Sequence, residues 1–276
     1  MKYIGKFLFV SVLILILVRC SGYEKVLKSN DYQLKYKEAL RYYYTKEDYV
    51  RAATLFDQIA LVFRGTDQAD TVYYLQAMGY FNQNDYILSG HYFRTFAQTY
   101  GGSPFVEEAE FMGAYCYYLT SPRPELDQTN TIQAIQAFQL YMIKYPDSKR
   151  KSEVQKYFNE LRDKLVEKSY LSAKLYYDLA DYKASIVALN NSLLKFPESN
   201  HREEIMFMLV KSSYMLADKS ILSKKKERFQ DTIDEYYSFA AEFPESKFLK
   251  EAIRYYRLSV RYLGNEVLDD EENEEI

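Results

Sequence analysis

The sequence predicts an all-α fold, a solenoid of about five helical hairpins closed by a C-terminal capping helix. Three observations carry this. First, apolar residues recur at helical spacing from Tyr32 onward, with no sustained alternation that would read as strands. Second, the aromatic register repeats: Tyr36 to Tyr73 and Tyr49 to Tyr86 are both steps of thirty-seven residues. Third, one phrase recurs between apolar runs, as Tyr145-Pro146-Asp147-Ser148, Phe196-Pro197-Glu198-Ser199 and Phe243-Pro244-Glu245-Ser246. Two helices per unit at a repeated period mean stacked hairpins, because a single hairpin cannot bury its own apolar face.

Taken in order, the first unit pairs a stripe of Tyr36, Ala39, Leu40 and Tyr43 with a second helix facing in through Tyr49, Ala52, Phe56 and Ile59. The second places Tyr73, Ala77 and Tyr80 ahead of Tyr86, Ser89, Phe93 and Phe96. The third sets Phe111, Ala114, Tyr115 and Tyr118 before a proline-bearing loop, followed by Ile132, Ala134, Phe138 and Tyr141. A long helix from about Ser152 to Leu179 opens the fourth, whose partner shows Tyr182, Ser185 and Leu189. The fifth pairs "REEIMFMLVKSSYMLA" with "ERFQDTIDEYYSFAAEFP", and the amphipathic stretch Lys247–Leu263 caps the array. In the recurring phrase the aromatic ends a helix on the core side, Pro stops it, and Ser is expected as N-cap of the next.

Outside the array, Lys2, Lys6 and the apolar run Phe7–Val18 read as an export signal over 1–19, too short to span a bilayer. The stretch Leu17-Val18-Arg19-Cys20 resembles a lipobox, which implies lipidation at Cys20 and anchoring to a membrane, with 20–31 as a polar tether. Cys116, on an apolar helical face, reads as a buried small hydrophobe. The net charge of -3 leaves no electrostatic footprint for nucleic acid. His91 and His201 have no ligand-spaced neighbours and read as surface or groove-edge residues. Glu107-Glu108 and Glu203-Glu204 fit the first turns of helices. With no phosphate loop, nucleophile elbow or metal motif, we expect no catalytic residue, metal or cofactor. The basic knot Lys219–Phe229 reads as a solvated loop, and the acidic end 264–276 as a disordered tail.

The repeated pattern of large, small and aromatic positions with a closing Pro resembles the tetratricopeptide repeat, which implies a right-handed superhelix. The order of signal, "LVRC", short tether and about five repeats with an elongated central helix resembles the BamD family, lipoproteins of the β-barrel assembly machinery in the Gram-negative outer membrane. Its most specific stretch is Tyr145 to Ser199, and it covers Cys20 to about Leu263. The resemblance implies a non-enzymatic scaffold on the periplasmic face of the outer membrane. Its implied partners are a BamA-like β-barrel protein, held through periplasmic domains, and the C-terminal segments of unfolded outer membrane proteins. By the same analogy, the units from Tyr32 to Tyr100, within an N-terminal region 32–145, offer a peptide groove presenting Tyr43, Tyr44, Tyr73, Tyr74, Tyr80 and Phe81, and units 146–263 carry partner contacts through Arg162, Lys168, Tyr176, Asp181 and Lys183. Tyrosine suits such a groove because it gives contact area at small entropic cost. Three other envelope roles compete: a glycan-capture lipoprotein, which the absence of Trp opposes; a lytic transglycosylase, which lacks the separate domain its Glu would need; and a cell-division coordinator.

Overall fold

A computed structural model describes residues 22–274, so the signal segment and Cys20 lie outside the described residues. Every regular element among them is a helix. A short helix α1 over 22–28 precedes α2 (Tyr32–Tyr44), α3 (Tyr49–Ile59), α4 (Ala69–Asn82), α5 (Tyr86–Thr99), α6 (Val106–Thr120) and α7 (Thr129–Lys144). Then follow α8 (Lys151–Asp178), α9 (Tyr182–Lys195), α10 (Arg202–Asp218), α11 (Leu222–Glu242) and α12 (Leu249–Glu274). Helices α2 to α11 form the five expected hairpins, and each helix from α2 through α7, and each from α9, packs on its sequence neighbour.

Two turn chemistries alternate. Within three hairpins, a residue forced to positive φ is followed by an aspartate cap: Glu47 (φ 50) and Asp48, Asn84 (φ 62) and Asp85, Ala180 (φ 58) and Asp181. Each Asp carboxylate accepts from the N–H three residues on, Arg51 at 3.1 Å, Leu88 at 3.0 Å and Ala184 at 3.1 Å. This satisfies a backbone donor that a helix start leaves unpaired. The other two hairpins use loops without a side-chain cap at Gln128 or Ile221.

Between hairpins the recurring phrase closes a turn of its own. Ser148 N–H donates to Tyr145 C=O at 3.2 Å and Ser148 C=O accepts from Lys151 N–H at 3.2 Å. The same pair recurs at Ser199 (3.1 and 3.0 Å) and Ser246 (3.2 and 3.0 Å). The hydroxyls accept from the N–H two residues on, Arg150, His201 and Phe248, so these serines stand upstream of the caps expected of them. The geometry does not need proline. It recurs at Thr66, from Phe63 to Ala69, at Ser103, from Tyr100 to Val106, and in the half-turn Ser29 to Val26 that joins α1 to α2.

That last copy explains a correction at the N-terminus. The segment read as a tether is helical over 22–28 and docked, with Tyr23, Val26 and Leu27 against the core of the first hairpins. Tyr23 meets Tyr42 edge-on at 5.4 Å, and the Arg51 guanidinium lies 5.1 Å from its ring. It is in effect the second helix of a truncated hairpin, covering an apolar end that would otherwise face water. The basic knot is also corrected: from Leu222 it forms the opening turns of α11, where Arg228 bonds Ser220. Likewise α12 runs on to Glu274, so the acidic stretch expected to be disordered has helical backbone that far; after Gly264 it holds no glycine or proline to stop the helix.

The chain divides into two compact units, one through Pro122 with Asp127–Leu161, the other Arg123–Leu126 with Arg162 onward, so Tyr145 lies inside the first. The first is built on Phe56, Phe93, Phe96 and Phe138, all fully buried; the second on Leu189, Ile205, Leu209 and Phe239. Helices approach closely where small residues meet. A Cβ on Gly90 would stand 3.0 Å from that of Cys116, which is buried as expected, its thiol pushed up to about 11 chiefly by burial.

Candidate functional site

The six aromatics read as a groove do not share one face. On α4, Tyr73 and Tyr80 are seven residues apart and lie on one side, while Tyr74 and Phe81 follow about 100° round the helix. Tyr73 packs on Tyr100 at 5.3 Å. Tyr80 stacks on Tyr92 at 5.3 Å and donates to Asp57 at 2.6 Å; burial first, and then this bond, raise its phenol well above the ordinary range. Phe81 fills the space between Tyr86 and Tyr115. Tyr74 stacks on Phe105 at 4.8 Å; burial first, then Glu108, Tyr43 and Tyr44, oppose its ionisation. Tyr43 touches Tyr44 edge-on at 4.8 Å and accepts from Asn82 at 3.1 Å. Tyr43 and Tyr44 therefore form an edge-on pair, from which Tyr44 projects with 65% of its surface exposed. Tyr74, which also meets Phe93 and Phe96 at 5.9 Å, is a packing residue like Tyr73, Tyr80 and Phe81.

In the second unit, three of the five expected contact residues are brought together. Tyr176, at the end of α8, and Asp181 and Lys183, at the start of α9, line a depression of about 510 Å³ with Ala184, Val187 and Ala188. Asp181 is also the cap of α9, so its carboxylate is partly committed to backbone. Arg162 is exposed on α8, and Lys168 donates to Glu125 C=O at 2.8 Å, so neither belongs to this depression. Lys183 and Val187 also border a second hollow of about 430 Å³ between α9, α10 and α11, with Ile186 and Leu216 apolar and Asp231, Asp234 and Glu235 acidic. The exposed apolar residues Leu175, Leu179 and Val187 adjoin this region and were not singled out in the sequence. Their signal was an apolar pair at a spacing of four, Leu175 near the end of α8 and Leu179 just past it, both exposed.

The remaining polar residues do structural work. His201, expected at the surface, is half-buried, stacked on Tyr170 at 3.9 Å and 2.7 Å from Glu167. Glu107 and Glu108 occupy the first turn of α6 as expected, and they also bind the next seam: Ser148 donates to Glu107 at 2.7 Å, and Arg150 grips Glu108 with two contacts of 2.8 Å. Among the described residues no group of His, Cys, Asp and Glu could hold a metal ion, and no helix is long and apolar enough to cross a membrane.

No curated protein matches the chain. A family model described as "YfiO: Outer membrane lipoprotein" matches residues 29–178 and 167–260, which take in α2 to α11 and the first turns of α12. The hairpins, their seams and both surfaces described above thus fall within the matched region, and the chain belongs to the YfiO family of outer membrane lipoproteins.

Proposed function

We propose that this protein is a non-enzymatic scaffold, anchored through Cys20 to the outer membrane on its periplasmic side, that holds a BamA-like barrel protein by its periplasmic domains and helps to receive unfolded β-barrel proteins. The observation that carries this reading is the depression that Tyr176, Asp181 and Lys183 line together with exposed Val187. An exposed apolar surface with a charged rim costs free energy in water and marks a protein contact in a chain with a signal for export. Membership of an outer membrane lipoprotein family supports the location. The projecting Tyr44, backed by Tyr43, suits an extended aromatic-ended peptide and is the surface we assign to unfolded clients.

The test is a tagged pull-down from solubilised outer membrane. The wild-type chain is expected to recover a barrel protein with periplasmic domains. Val187→Asp with Lys183→Glu should reduce that recovery at least about tenfold, the loss expected when a central contact worth about 1.4 kcal/mol or more is removed. Recovery of glycan or peptidoglycan partners alone would overturn the reading in favour of a capture lipoprotein.

A further inference from the structure

The last helix has an outward face that nothing among the described residues covers. Ala252, Tyr255 and Ser259 of α12 are buried, and the opposite side presents Lys250, Arg254, Arg257 and Arg261, all exposed. No ion pair ties any of these four to a described carboxylate; the one acid of this stretch, Glu251, is on Lys211 at 3.2 Å and Tyr255 at 2.8 Å. Beside the cations lies a shallow apolar depression of about 560 Å³, with Leu249, Ile253 and Leu258 in its lining. The end of the same chain is the opposite in charge: Glu266, Asp269, Asp270, Glu271, Glu272, Glu274 and Glu275 occur there without a single Lys or Arg.

A solvated helix would gain nothing from this arrangement. The helix dipole favours acids at the start and bases at the end, and α12 has its bases first and its acids last. The two halves also cannot meet within one molecule. On a continuous helix, position 271 lies about 21 Å along the axis from position 257, at 1.5 Å per residue. Two copies of the helix laid antiparallel bring the halves together, twice over and by symmetry, since in a two-fold interface every contact is made in both directions. The register that sets position 257 beside 271 crosses at Gly264, whose absent side chain leaves open space, with no atom within 4 Å of where a Cβ would lie.

We infer that the outer face of α12 is a self-association surface, whose occupant is the acidic C-terminal segment, residues 266–275, of a second copy of this chain. The charges set register and orientation, and the Leu249, Ile253 and Leu258 surface supplies apolar burial.

The experiment is the mass of the full chain in detergent micelles by light scattering, at 0.1 M and 1 M salt, where the screening length falls from about 10 Å to about 3 Å. The wild type is expected as a dimer at low salt and a monomer at high salt. Arg254→Glu with Arg257→Glu should be monomeric at both, with an unchanged melting curve because both side chains are exposed. Glu271→Lys with Glu272→Lys should also be monomeric, and an equimolar mixture of the two double variants should recover the dimer mass. A wild-type monomer at low salt, or a dimer that survives in the Arg254→Glu/Arg257→Glu chain, would overturn the inference. So would a wild type that stays monomeric but sediments with phosphatidylglycerol vesicles through the same arginines, which would assign the face to anionic lipid.

Discussion

Glu235 stands with Asp231 and Asp234 on one side of α11, at the edge of the acidic hollow. Burial, and then Asp231 and Asp234, raise its pKa above the ordinary carboxylate value. Because the folded-state pKa is raised, the folded chain binds this proton more readily than the unfolded one, whose group titrates near 4.3. Stability from this site therefore rises as the pH falls through the folded-state pKa, and above it the full cost of the charge is present. Glu235→Gln is expected to raise the melting temperature at pH 7, with the gap closing as pH falls and gone below about pH 4; an equal gap at pH 7 and pH 4 would show that the charge is not the cause. Residues of this kind were hard to read in the sequence. Helical spacing says that positions 231, 234 and 235 share a face, yet it does not say that α9 and α10 close over that face. The tyrosines teach the same lesson: Tyr44 and Tyr80 are alike in type, and only packing makes one a projecting side chain and the other a donor to Asp57.

The helices themselves were legible because their apolar period is strong and their breakers are few. Their seams were legible only in part. Three copies were visible through the Pro-acid pair, whereas Thr66 and Ser103 make the same turn without it and Ser29 makes half of it, because the working parts are an apolar residue and a hydroxyl three positions on. The turns inside hairpins carry a further, hidden cost. Ala180 holds φ 58, a region where a Cβ crowds the following carbonyl by about 1–2 kcal/mol. Glycine removes that strain but loses about 0.4–1 kcal/mol through its freer unfolded state. Ala180→Gly is therefore expected to stabilise the second unit by about 0.5–1 kcal/mol in urea unfolding. A loss of stability would mean that the cap at Asp181, and not this dihedral, governs the turn.

At the scale of the whole molecule, the all-helical repeat and the membership of an outer membrane lipoprotein family were both anticipated by the sequence, since hairpin punctuation and an N-terminal cysteine after an apolar run are local signals. What escaped was anything set by neighbours, such as the docking of 22–28 and the splitting of the aromatic group. Cys20→Ala is expected to move the protein from the membrane pellet to the soluble periplasmic fraction, since about 0.8 kcal/mol per buried methylene is lost with the acyl chains; unchanged residence in the pellet would locate the anchor elsewhere. The docked α1 gives that anchor a particular mechanical meaning. Only two peptide links separate Cys20 from Gly22, a leash of at most about 7 Å, so a bilayer-bound cysteine would hold the amino-terminal hairpin almost flush with the lipid headgroups. Stand-off from the membrane is then set by how firmly Tyr23 stays wedged beside Tyr42, and loosening that wedge would let the scaffold swing outward without cutting its tie.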